Sequence, residues 1–89
     1  MKVTYDPHKD QINQGKHQLS LDEAHRIEWD TLYATEDKRR DYGKIRMVGY
    51  AFIDIRLYCV VYTDRGDARR VISLRKANNR EKRNYAHNY

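Results

Sequence analysis

The stretch RLYCVVYT, residues 56–63, is almost continuously apolar, and in a chain of 89 residues that restricts where it can go. Such a run reads as a central strand covered on both faces. The next four residues, DRGD (64–67), form a turn with Gly66 at the position that needs a positive φ. RRVISLR (69–75) then returns as the neighbouring strand, and the loosely alternating IRMVGYAFI (45–53) precedes the run across a tight connection at Asp54. Together they predict a three-stranded antiparallel meander.

A chain this short builds one domain, residues 1–89, with one small core and no room for a large buried cofactor site. KVTY at the start suits a short strand with Val3 and Tyr5 on one face. Asp6 and Pro7 provide an N-cap and a first helical residue, predicting a helix from Pro7 to Gln14 that ends at Gly15. Its only large aliphatic residue is Ile12. SLDEAHRI predicts a second helix, with Ser20 and Glu23 as a capping box and Leu21, Ala24 and Ile27 on one face. Trp29 follows as a core anchor. Residues 30–44 read as a mobile polar connection carrying the charged patch Glu36–Arg40. Asn78 with Glu81 opens a last helix to about Ala86, which has only Tyr85, Ala86 and Tyr89 to bury. The order β-α-α-β-β-β-α predicts an α+β fold with the first two helices on one face of an antiparallel sheet.

The charge is unevenly spread. The net charge is +5, yet residues 1–64 hold ten basic side chains against eleven acidic ones. Residues 65–89 hold eight basic against two acidic, so the whole excess lies in the last quarter. A localised positive field attracts polyanions, nucleic acid above all, although a solvated charged helix has the same composition. The eight tyrosines add rings able to stack bases.

Within this segment Arg65, Arg70, Arg75 and Arg80 are the candidates for stabilising charge on a phosphorane, because guanidinium forks bind phosphate bidentately. Arg70 and Arg75 are an odd number of residues apart, which places them nominally on opposite faces of their strand. Arg80 and Arg83 share a helical face. Lys9, Lys16, Lys76, Arg83 and Tyr85 are the further candidates for RNA contact. His17, beside Lys16, is a candidate acid or base, with a surface histidine as the plainer reading. Glu81 and Tyr85 stand i, i+4 and are expected to pair locally. Cys59 reads as a small core residue. The four histidines and one cysteine lack zinc-ligand spacing, no phosphate-cradling glycine motif occurs, and no cofactor is expected. With no signal peptide or transmembrane run, the chain reads as cytoplasmic, without a membrane partner.

Two separated motifs resemble one family. YDPHKDQINQGKHQLSLDEA is similar to the opening of the BrnT toxins, W-D-x-x-K-x-x-x-N-x-x-K-H-G-V, with Asp6, Lys9, Asn13, Lys16 and His17 in register. YTDRGDARRVISLRKANNREKRNY resembles their ending, a strand R-I-I-S-A-R-x-A and a basic helix, with Arg70, Ile72, Ser73, Arg75, Ala77, Glu81, Arg83 and Tyr85 in place. Tyr5, Gln18 and Leu74 depart from the pattern, at a Trp, a Gly and a small residue. The resemblance implies a RelE-like endoribonuclease toxin of a type II toxin–antitoxin system, metal-independent and acting on mRNA. It implies a cognate BrnA-like antitoxin that carries the DNA-binding domain, so that operator DNA is reached only through the partner. A non-catalytic RNA- or DNA-binding module, or an inactive partner of the antitoxin, is the alternative.

Overall fold

The computed structural model describes residues 1–88. Its elements are β1 (Lys2–Tyr5), α1 (Pro7–His17), a 3-10 helix (Leu21–Arg26), β2 (Glu28–Glu36), β3 (Met47–Ile53), β4 (Arg56–Arg65), β5 (Ala68–Lys76) and α2 (Asn79–Asn88). The strands form one sheet in the order β1-β5-β4-β3-β2. The α+β class and the β3-β4-β5 meander hold, and β4 is the central strand. The sheet is mixed, however, because β1 pairs with β5 in parallel.

β2 occupies much of the segment expected to be a polar connection. A register shift between Glu28 and Tyr33 explains why alternation did not disclose it. Trp29, Leu32 and Ala34 all pack toward the main core, and the three-residue step from Trp29 to Leu32 breaks the period of two. Beyond β2 the chain is organised by Asp37, whose buried carboxylate accepts from the Arg39 backbone and guanidinium and from the Tyr42 hydroxyl.

The two faces of the sheet are covered differently. On one, Val60, Tyr62, Val71 and Leu74 pack on Leu21 and Ala24 of the 3-10 helix and on Ile27 just after it. Ser20 caps that segment by accepting from the Asp22 N–H, while Glu23 pairs with Arg26 and does not close the expected box. On the other face, α2 covers only one end, where Tyr85 packs with Leu57 and Ala77 against Tyr50 and Phe52. The 3-10 helix and α2 thus lie on opposite faces, and the continuous apolar character of β4 reflects this double but partial cover. Tyr89, also expected to be buried by the last helix, lies outside the described residues.

α1 turns toward the body a residue that hydropathy would not choose. Ile12 is exposed and Asn13 is buried. The parallel β1–β5 pairing stops at Tyr5 and Val71, leaving the outer edge of β5 without a strand. Asn13 takes the missing place: its Nδ2 donates to the Leu74 carbonyl at 2.8 Å and its Oδ1 accepts from the Leu74 N–H at 3.0 Å. Nδ2 also donates to the Leu19 carbonyl at 2.9 Å, tying down the exit of the helix. That exit is later than expected. The helix runs through Gly15, and Gln18 takes the left-handed cap with φ 55°.

Replacing Asn13 with Ala strands a buried N–H and two carbonyls, each costing roughly 1–3 kcal/mol when unsatisfied. Urea unfolding of Asn13→Ala is expected to show a lower midpoint at unchanged m, a loss of at least about 3 kcal/mol of stability.

Candidate functional site

One extra residue in β5 decides which side chains share the open face. Ser73 pairs with Val61 and Val71 with Tyr62, so Ile72 bulges out of the ladder. Arg70 then lies opposite Thr63 and Arg75 opposite Cys59, four residues apart on a strand whose pairing with β3 is regular. Arg70, Ser73 and Arg75 therefore share one face, against the expectation from their odd spacing. The two arginines stand about 13 Å apart along the strand.

Arg75 is held more firmly than an exposed strand-end arginine would be. Its Nη1 and Nη2 donate to Oε1 and Oε2 of Glu81, both at 2.8 Å. Glu81 is positioned by the predicted capping box of α2: the Asn78 N–H donates to Oε1 at 2.9 Å, and the Glu81 N–H donates to Asn78 Oδ1 at 2.8 Å. The Tyr50 hydroxyl, from β3, donates to Oε2 at 3.1 Å. Four donors on one carboxylate fix both members of the pair. Hydrogen bonding from Arg75 comes first in lowering the Glu81 carboxyl to about 2. The same bond raises the Arg75 guanidinium above its ordinary range. Burial pushes the Tyr50 hydroxyl and the Cys59 thiol upward.

The exposed part of Arg75 borders two recesses. One, of about 580 Å³, lies over the open face and is lined by Ser73, Tyr50, Cys59, Lys38 and Arg39 among others. The second, of about 630 Å³, opens at the end of α1, where Lys16, His17 and Gln18 meet Tyr58, Arg75 and Lys76. Two adjacent pairs far apart in sequence, Lys16–His17 and Arg75–Lys76, therefore converge on one groove.

The other candidates fall elsewhere. Arg70 approaches Asp6 at 3.7 Å, and Arg65 lies farther along the same face at the end of β4. Lys9 is exposed on α1, and Arg80 and Arg83 are exposed on α2. Tyr85 is not placed to stack a base. It is buried, edge-on to Phe52, and its hydroxyl donates to the Thr31 carbonyl, so it anchors α2 and does not pair with Glu81. The roles of Tyr50 and Glu81 at Arg75 went unforeseen. For Glu81 the capping box was visible, but its remaining hydrogen-bonding capacity had no visible recipient.

Among the described residues, no three His, Cys, Asp or Glu side chains are grouped to hold a metal ion, and no helix is long and apolar enough to cross a membrane. A family model described as the ribonuclease toxin BrnT of type II toxin–antitoxin systems matches residues 5–81. A comparison with curated proteins finds no match.

Glu81 has a folded-state pKa below its ordinary value, so the stability it contributes is full above about 4.5 and is lost as pH falls through about 2. Acid titration of urea stability is expected to show a loss on the order of 2–3 kcal/mol across that window. Glu81→Gln should flatten the titration there.

Proposed function

The chain belongs to the BrnT family of type II toxin–antitoxin ribonuclease toxins, and from this we propose a metal-independent endoribonuclease that cuts mRNA at the groove beside Arg75. The observation that carries the reading is the fixed guanidinium at the mouth of a groove also lined by His17, Lys16 and Lys76. In the proposed reaction the 2′-oxygen of the substrate attacks the adjacent phosphorus as the bond from phosphorus to the 5′-oxygen breaks. The products are a 2′,3′-cyclic phosphate and a 5′-hydroxyl. Arg75 stabilises the charge that builds on the non-bridging oxygens, and its ion pair removes the need to organise it during reaction. His17 takes the proton from the 2′-hydroxyl, and the Lys16 ammonium or water delivers one to the leaving 5′-oxygen. Lys76 holds the neighbouring backbone. The whole chain acts as one toxin domain in the cytoplasm.

A type II toxin has a protein antitoxin as its partner. We assign operator binding to that partner, a BrnA-like protein with its own DNA-binding domain, so the toxin reaches DNA only through the complex. Acidic residues on that partner would neutralise the basic face.

Cleavage of mRNA by the purified toxin is expected to persist in EDTA and to leave 5′-hydroxyl ends, as primer extension and end-labelling would show. Arg75→Lys keeps a cation beside Glu81 but loses the fork. It is expected to remain folded and to lose roughly 10²–10³ in kcat, the usual cost of one positioned oxyanion donor. Undiminished cleavage by the folded variant would remove Arg75 from the reaction. Binding of RNA without any cleavage would favour the non-catalytic module.

A further inference from the structure

The open face continues past Arg70 into a second concentration of charge. Arg70 stands opposite Thr63 on β4, and Arg65 closes that strand. Thr63 is buried, and its hydroxyl donates to the Ile45 carbonyl at 2.8 Å. That bond pins the end of the 37–46 connection to β4, so Lys44 and Arg46 are delivered beside Arg65 and Arg70. The Arg46 guanidinium is held 3.9 Å from the centre of the Tyr42 ring, and its buried Nε has no hydrogen-bond partner among the described residues. Among the described residues, Lys9, Lys44, Arg46 and Arg65 form no ion pair, and Arg70 has only the 3.7 Å approach to Asp6. Arg69, next in the chain, is by contrast satisfied by Asp64 on the opposite face at 2.8 and 3.0 Å.

Like charges gathered with a single, loosely placed counter-charge repel one another. The Lys44 ammonium is lowered accordingly, first by Arg65, then by burial and by Arg70, Arg46 and Lys9. An anion relieves that repulsion, and several cations spread over one surface suit a chain of phosphates better than a single carboxylate. The position along the sheet narrows the role. The backbones of Arg70 and Arg75 are about 13 Å apart by strand rise, and each guanidinium turns to its own carboxylate, Arg70 toward Asp6 and Arg75 to Glu81. With Arg75 committed to Glu81, the two arginines therefore meet different phosphates.

We propose that Lys44, Arg46, Arg65 and Arg70, with Lys9 beside them, form a second phosphate subsite that holds the RNA strand at a distance from the point of cleavage. This rests on the ribonuclease reading above and adds a direction to it. The strand runs along the open face from the Arg75 groove toward the β4–β5 turn, and short substrates that end before the cluster lose its contribution.

The test compares Lys44→Ala/Arg65→Ala with the wild type. Both side chains are exposed, so folding is expected to survive. Fluorescence anisotropy measures affinity for a non-cleavable 2′-O-methyl RNA dimer and hexamer over a range of salt. The double variant should bind the hexamer more weakly, with its log–log salt slope reduced by about 0.7 for each lost contact. Dimer binding should match the wild type. An equal loss on dimer and hexamer would merge the cluster with the cleavage groove and overturn the proposal. An unchanged hexamer slope, with wild-type cleavage intact, would overturn the subsite while leaving the ribonuclease reading in place. If antitoxin binding weakens instead of RNA binding, the cluster belongs to the protein partner. A wild-type protein that neither binds nor cuts RNA would remove both readings together.

Discussion

Between Val71 and Ser73, β5 carries one residue more than the strand it pairs with, and a pleated strand cannot absorb an odd residue without turning its side chains over. On the β1 side of Ile72, Val71 enters the main core and Arg70 faces outward. On the other side, Leu74 enters the same core while Ser73 and Arg75 face the way Arg70 does. Without the bulge, either Leu74 or Val71 would have to leave the core, or the two arginines would part to opposite faces. The apolar pattern of the strand and the placement of its charges are thus one constraint. The cost is a bulged outer edge, and Asn13 stabilises it at Leu74.

A second interaction fixes the end of that face. The Glu81 carboxylate joins three elements, because it closes the cap of α2, grips Arg75 of β5 and receives the hydroxyl of Tyr50 from β3. One turn farther along α2, Tyr85 fills the space over Leu57 and Phe52. A polar helix with few apolar residues can be held this way, by one buried ring and one ion pair. In the proposed mechanism the same ion pair pre-orients the guanidinium. The basic helix follows the apolar strand directly because the strand and the helix cap together make Arg75 rigid.

Features set by local chemistry were legible in the sequence. The β4–β5 hairpin shows in an apolar run, a turn and a second run, and the Asn78–Glu81 box marks the start of α2. The Asp6–Pro7 start of α1 is equally plain, with the Asp6 carboxylate accepting from the His8 N–H as an N-cap should. Features that depend on a partner distant in sequence were not legible. Asn13 looks like a surface residue on a polar helix until β5 presents an unpaired edge sixty-one residues away. β2 hid because its bulge breaks the alternation that would have revealed it, and the bulge at Ile72 hid the common face of Arg70 and Arg75 in the same way. Tyr85 could serve as a stacking platform or a core anchor on composition alone, and only Phe52 and Leu57 decide between them. Lys44 lay in a segment read as a connection and Arg46 at the start of an expected strand, so their meeting with Arg65 through Thr63 had no local signal.

The central claim is that RNA meets the β5 edge at the Arg75 groove and runs from there along the open face of the sheet. An NMR titration tests this most directly, using the backbone amides of the wild-type protein and a non-cleavable 2′-O-methyl RNA. The account predicts that the largest shifts fall on Ser73, Arg75 and Lys76, on His17 at the groove, and on Lys44, Arg65 and Arg70, while Leu21–Arg26 on the opposite face stay in place. Shifts centred on the 3-10 helix and on the Asp64–Arg69 pair, with Arg75 and Arg70 unmoved, would contradict it.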